Sequence, residues 1–209
     1  MRFFKCGPGE YREGDCFLGI SVPDTRALLK RTELDLGACV SLLESEWHEA
    51  RLLALLGMVR LYQKGTTATK RAVFTAYLKH APRINNWDLV DCSAEYVVGP
   101  ELCGKDGKAL AKLARSKLLW ERRIAMIATL HAIKAGACED AFRIATLLLQ
   151  DDEDLIHKAV GWMLREVGKR CSKDELRGFL RQHAKTMPRT ALRYAIEHLD
   201  PAERAKWMR

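Results

Sequence analysis

From Pro23 onward, apolar residues recur three and four positions apart, the spacing that gathers them on one face of an α-helix. This periodicity predicts helices over residues 51–62, 69–80, 109–116, 121–134, 139–149, 154–169, 173–185 and 189–199. Short breaks such as Lys64-Gly65, Ala81-Pro82, Gly104-Lys105-Asp106-Gly107 and Met187-Pro188 punctuate them. Runs of alternating β-branched residues are missing, so the fold class is all-α. With 209 residues, 48% of them hydrophobic, the chain can bury one sizeable core. The expected organisation is a single domain: a glycine-rich loop and leading segment over residues 1–22, then helical repeats over 23–209. The stretch Phe3 to Asp15 lacks the Gly-Lys-Ser/Thr that would open a phosphate-cradling helix, and reads as a surface loop.

Helix starts of similar texture recur at Glu49-Ala50-Arg51-Leu52, Arg122-Arg123-Ile124-Ala125, His157-Lys158-Ala159-Val160 and Pro188-Arg189-Thr190-Ala191. With Arg51, Arg123, Lys158 and Arg189 taken as equivalent, the separations are 72, 35 and 31 residues. The first is two periods of 36, with its midpoint on Trp87. Two helices fit in each period, which predicts a HEAT-like solenoid whose second helices line a concave basic face. A row of cations spaced by the repeat suits a polyanion, because each neutralised phosphate releases counterions. The expectation is that Arg51, Arg123, Lys158 and Arg189 contact DNA.

Charge agrees with that partner: 35 Lys and Arg against 27 Asp and Glu leave a formal net charge of +8. The seven cysteines are scattered without a CxxC pair, which argues against a zinc module or a disulfide framework and for thiols packed in a reducing compartment. The six histidines show no metal-ligand spacing, so no metal is expected. No signal peptide and no apolar run of membrane-spanning length appears, and the expectation is a soluble, cytoplasmic protein. The acidic run Asp151-Asp152-Glu153-Asp154 reads as charge complementing a helix N-terminus. Trp47, Trp120 and Trp207 read as packing residues.

Trp87 and Asp91 lie four apart, on one helix face a turn from each other, with Leu89 and Val90 directed to the core. Trp162 stands at the same offset from Lys158. Stacked repeats would bring Trp87, Asp91, Arg123 and Trp162 to one surface. Singly, each has an ordinary reading as a core tryptophan, a solvated carboxylate or a surface cation. Together they form a constellation.

The sequence resembles the AlkD family of DNA alkylation repair glycosylases over nearly its whole length. The resemblance is carried by Phe4-Lys5-Cys6-Gly7-Pro8-Gly9-Glu10-Tyr11, Phe17-Leu18-Gly19-Ile20-Ser21-Val22-Pro23, Asn86-Trp87-Asp88-Leu89-Val90-Asp91, Trp120-Glu121-Arg122-Arg123 and Lys158-Ala159-Val160-Gly161-Trp162-Met163-Leu164-Arg165-Glu166. It implies a HEAT-like fold and hydrolysis of the N-glycosidic bond to 3-methyladenine or 7-methylguanine in double-stranded DNA, within base excision repair. It further implies a monofunctional enzyme with no cofactor. Trp87 and Trp162 match the family's site tryptophans, Asp91 its catalytic carboxylate and Arg123 its phosphate-contacting arginine. Family spacing and the repeat arithmetic both select Arg123 over Arg122. The family is understood to reach the sugar from the backbone side without a dedicated base pocket. Family members usually carry a helical segment ahead of the Phe-Phe-Lys stretch, so the expectation is a short or truncated variant. A monomer without an obligate protein partner or membrane is expected. Two rival readings are a non-catalytic HEAT-like repeat protein binding DNA structures and a protein scaffold. The four retained site residues favour the enzyme over the first, and the basic row speaks against the second.

Overall fold

The computed structural model describes Gly7 and residues 14–209, and these divide between two compact units, Met1–Val97 and Val98–Arg209. Among these residues the secondary structure is helical. Among the described residues there is no strand, only an isolated parallel bridge between Cys16 and Trp47. Of the glycine-rich stretch read as a surface loop, all but Gly7, Gly14 and Asp15 lies outside the described residues.

The first unit runs α1 (Val22–Arg31), α2 (Leu36–Leu43), α3 (His48–Lys64), α4 (Thr67–Lys79), a 3₁₀ turn (Ala81–Arg83), α5 (Trp87–Asp91) and α6 (Ala94–Val97). Polar caps fix the starts: Ser21 Oγ accepts from the Asp24 amide, Asp35 Oδ1 from Ala38 and Thr66 Oγ1 from Thr69. Helix α3 is buried on nearly every side and packs against α1, α2, α4, α5 and α6. Leu43, Leu55, Met58, Tyr77 and Leu89 fill the core around it. The buried Tyr77 hydroxyl pairs with Ser93 Oγ at 2.8 Å, so that core keeps its polar tip satisfied.

The second unit runs α7 (Gly99–Leu102), α8 (Lys108–Ala114), α9 (Leu119–Ala128), α10 (Leu130–Lys134), α11 (Glu139–Leu148), α12 (Asp154–Arg170), α13 (Lys173–His183), α14 (Arg189–Ala195) and α15 (Pro201–Trp207). Helices α8 and α9 pair, as do α11 and α12; α8 then packs on α11 and α9 on α12. Helix α12 is the hub, also contacting α13 and, most extensively, α14. Gly161 permits that last contact: a Cβ there would stand 2.4 Å from the Ala191 carbonyl oxygen and 2.5 Å from Tyr194 Cβ.

One predicted helix is two. The 121–134 segment breaks at Thr129, whose hydroxyl donates to the Met126 carbonyl at 2.7 Å. A β-branched hydroxyl residue that bonds the carbonyl three residues back competes with the helical ladder. The periodicity of the flanking apolar residues carries no trace of this.

Candidate functional site

The candidate residues are divided between the two units. In the first, Asn86 opens α5 by accepting the Trp87 amide on Oδ1 at 2.7 Å. Leu89 and Val90 are fully buried, whereas Trp87, Asp88 and Asp91 are half-buried. Trp87 and Asp91 therefore sit one turn apart on the more open side of α5, as their spacing predicts. A helix of five residues has no stability of its own. Its placement comes from packing on α3 and α6.

Beside α5 lies a polar network that sequence reasoning missed. His48, at the start of α3, is 2% exposed. Its Nε2 lies 2.7 Å from Asp88 Oδ2 and its Nδ1 3.4 Å from Asp15 Oδ2, with the Phe17 ring against the imidazole at 4.9 Å. Arg51 pairs with Asp15 and donates through Nη1 to the carbonyls of Ser45 and Glu46, both at 2.9 Å. Burial pushes its guanidinium below the usual arginine range, with nearby Arg83 adding to that. Glu49 accepts the amides of Leu18 and Gly19 at 2.9 and 2.8 Å. Burial raises its carboxyl, but those two bonds and the neighbouring His48 outweigh it, and its pKa falls below the ordinary glutamate value. The partners of His48 lie 33 and 40 residues away in the chain, so no local spacing signals them.

In the second unit Arg122, not Arg123, is the counterpart of Arg51. Each is the fourth residue of its helix, and each donates through Nη1 to the carbonyls five and six residues before it. Arg122 is then braced by Asp151 at 2.6 and 3.2 Å. His157, fourth in α12, reaches back in the same way to the Asp151 carbonyl. The position that matches Arg51 is therefore the fourth of the helix and not the fifth: Arg51, Arg122 and His157 each bond back to the loop before their own helix. Arg51 is turned inward, 2% exposed. Arg123 and Lys158 occupy the next position, the fifth of their helices, 35 residues apart. Another 35 residues on stands Arg193, fifth in α14, exposed. Arg189 lies a turn earlier, exposed, and donates to the Met208 carbonyl at 2.6 Å.

Arg123 is itself buried, with Nη1 donating to the Leu155 carbonyl at the start of α12. Lys158 has its side chain 41% exposed and pairs with Asp154 at 2.7 Å, which lowers the Asp154 pKa. Trp162 is half-buried one turn beyond Lys158. Of the residues beside it, Gly161 serves the α12–α14 contact, Arg165 pairs with Glu197, and Glu166 pairs with Arg170 at 2.6 Å.

The acidic run before α12 acts mainly through ion pairs: Asp151 with Arg122 and Asp154 with Lys158, while Glu153 at the N-cap makes no side-chain cap bond. Trp120 is buried and Trp207 half-buried, but Trp47 is 39% exposed. Among the described residues no group of His, Cys, Asp or Glu is arranged to hold a metal ion. No helix among them is long and apolar enough to cross a membrane.

A family model described as "DNA alkylation repair enzyme" matches residues 1–199. A solved structure described as a "Predicted DNA alkylation repair enzyme from Enterococcus faecalis" shares the fold at a TM-score of 0.70 and 17% identity, over 91% of this chain and 92% of that one. Among curated proteins no relative matches in sequence.

Proposed function

The chain belongs to the family of DNA alkylation repair enzymes, and from that premise we propose that it is a DNA glycosylase hydrolysing the N-glycosidic bond of cationic alkylated purines, such as 3-methyladenine and 7-methylguanine. The observation that carries the proposal is the pairing of Trp87 and Asp91 one turn apart on the open side of α5, whose other side is fully buried. An aromatic face and a carboxylate so placed suit a cationic sugar and base.

Alkylation at N3 or N7 makes the purine a good leaving group, and its departure drives the deoxyribose toward an oxocarbenium ion. Asp91 stabilises that developing charge and orients the attacking water, which adds to the anomeric carbon as the bond to the base breaks. The water's proton passes to solvent or to the departing base. The leaving group already carries positive charge, so a strong general acid is not required. Trp87 holds the sugar or the cationic lesion by apolar and cation–π contact, worth about 0.5 to 2 kcal/mol; Trp162 matches the family's second site tryptophan. Arg123 matches the family's phosphate-contacting arginine; buried and donating to the Leu155 carbonyl, it grips a flanking phosphate only by turning outward from that bond.

On the DNA track Lys158 and Arg189 contact phosphate, joined by the exposed Arg193. An exposed i,i+4 pair such as Lys158–Asp154 is worth only about 0.3–0.5 kcal/mol, so a phosphate displaces Asp154 at little cost. Arg51 leaves the track, because its guanidinium is committed to Asp15 and to the loop before α3. The partner is double-stranded DNA, the protein acts as a monomer, and no cofactor enters the reaction.

The test is incubation with duplex DNA carrying 7-methylguanine, following release of free base. Asp91→Asn is expected to slow release by roughly 10²–10³-fold, the loss typical of one preorganised electrostatic group. Unchanged release would remove Asp91 from the reaction. Absence of release by the folded wild type would leave a protein that binds DNA structures without cleaving them.

A further inference from the structure

We propose that His48 is a positioning residue for the glycosylase reaction: held between Asp15 and Asp88, it fixes the roll of α5 and thereby the placement of Trp87 and Asp91. This inference rests on the proposed roles of those two residues.

Asp88 is the second residue of α5, between Trp87 and the buried pair Leu89 and Val90. Its Oδ2 lies 2.7 Å from His48 Nε2, and its Oδ1 is buried with no hydrogen-bond partner among the described residues. His48 is thus the one side-chain donor to the Asp88 carboxylate among the described residues. Removing it would leave a largely buried carboxylate without compensation, and α5 would relieve that by rolling Asp88 toward water. The five residues of α5 move as one body. With side-chain ends roughly 5–6 Å from a helix axis, a roll of about 10° carries them about 1 Å. A displacement of about 1 Å at a reacting group costs on the order of 10²-fold in rate.

His48 is itself anchored independently of α5. Its amide donates to the Cys16 carbonyl at 2.8 Å, its Nδ1 faces Asp15 at 3.4 Å, and Phe17 covers its ring. Asp15 is in turn held by Arg51, which clamps the loop just before α3. Arg83, from the 3₁₀ turn that leads toward α5, donates to the carbonyls of Glu44 and Ser45 in the same loop, at 2.7 and 2.9 Å. The start of α3 is therefore rigid ground on which Asp88, and α5 with it, is fixed.

Base release is measured under single turnover with enzyme in excess, beside affinity for undamaged duplex, for wild type, His48→Ala, His48→Gln, Asp88→Ala, Asp88→Asn and Asp91→Asn. His48→Ala is expected to slow release about 10- to 100-fold while changing duplex affinity less than about threefold. His48→Gln, whose amide can donate to Asp88, is expected to recover most of the rate. If His48→Ala does not fold, the same split is read from Asp88→Ala, which removes the other end of the contact, whereas Asp88→Asn keeps an acceptor for His48 and is expected to lie within about fivefold of wild type. A folded His48→Ala releasing base at the wild-type rate would overturn the proposal, as would parallel losses of rate and affinity, or a folded His48→Gln as slow as His48→Ala. Asp91→Asn separates the two claims: if it abolishes release while His48→Ala does not slow it, the positioning role fails alone. If wild type releases no base, the glycosylase reading fails, and the positioning claim is read from the ¹⁵N indole signal of Trp87. That signal is expected to shift in His48→Ala and return in His48→Gln; an unmoved signal would overturn it.

Discussion

An arginine in the first turns of a helix faces the positive end of the helix dipole, so something must compensate it. At Arg51 and Arg122 the compensation is internal, from carbonyls of the preceding loop and from a carboxylate, Asp15 or Asp151. The recurrence of cations at helix starts was legible in the sequence. Whether each looked inward or outward was not, because the deciding acceptors lie 36 and 29 residues away for Asp15 and Asp151. The cysteines are simpler. Burial raises the Cys39, Cys103 and Cys138 thiols to about 11, 12 and 11 respectively, with nearby carboxylates or, for Cys138, first the neighbouring Cys171 adding to the effect. Since only the thiolate reacts, a thiol titrating near 11 is ionised at neutral pH in about one molecule in ten thousand. Iodoacetamide at pH 7 should leave these three unmodified in the folded protein for a time that alkylates a small free thiol completely. Peptide mapping that found them modified at comparable rates would contradict it.

At the scale of helices, close approach decides what periodicity cannot. Gly161 and Gly168 lie on α12 two turns apart, and either would gain about 1 kcal/mol of helix propensity as alanine. At Gly161 the new Cβ meets backbone and Cβ atoms of α14 at 2.4 and 2.5 Å, and α14 must shift. At Gly168 it meets the flexible end of Leu176 at 2.7 Å, which can turn aside. Overpacking against backbone costs about 1–3 kcal/mol or more. Thermal unfolding should therefore show Gly161→Ala clearly destabilised and Gly168→Ala near neutral; equal melting temperatures for the two would refute this account. Helix α5 illustrates the same limit from the other side. Its sequence marks a start at Asn86 and one open face with Trp87 and Asp91, but its direction depends on α3, α6 and the His48–Asp88 contact.

For the whole protein, a net charge of +8 draws it to a polyanion without saying which cations touch phosphate. If Lys158 and Arg193 each neutralise one, Lys158→Ala and Arg193→Ala should each reduce the salt slope of duplex binding by about 1. Arg51→Met should lower stability and leave the slope unchanged, measured below its unfolding transition; a slope that fell with Arg51 and not with Lys158 or Arg193 would reverse the assignment. The helical class, most helix positions, the family motifs, and the adjacency of Trp87 with Asp91 were all readable along the chain. Those are properties of local spacing, because a helix repeats every 3.6 residues wherever it lies. Tertiary packing alone settles that Arg51 turns inward and that His48 is set between Asp15 and Asp88. Burial and hydrogen-bond partnership depend on which distant segments meet, and side-chain spacing along the chain does not encode that.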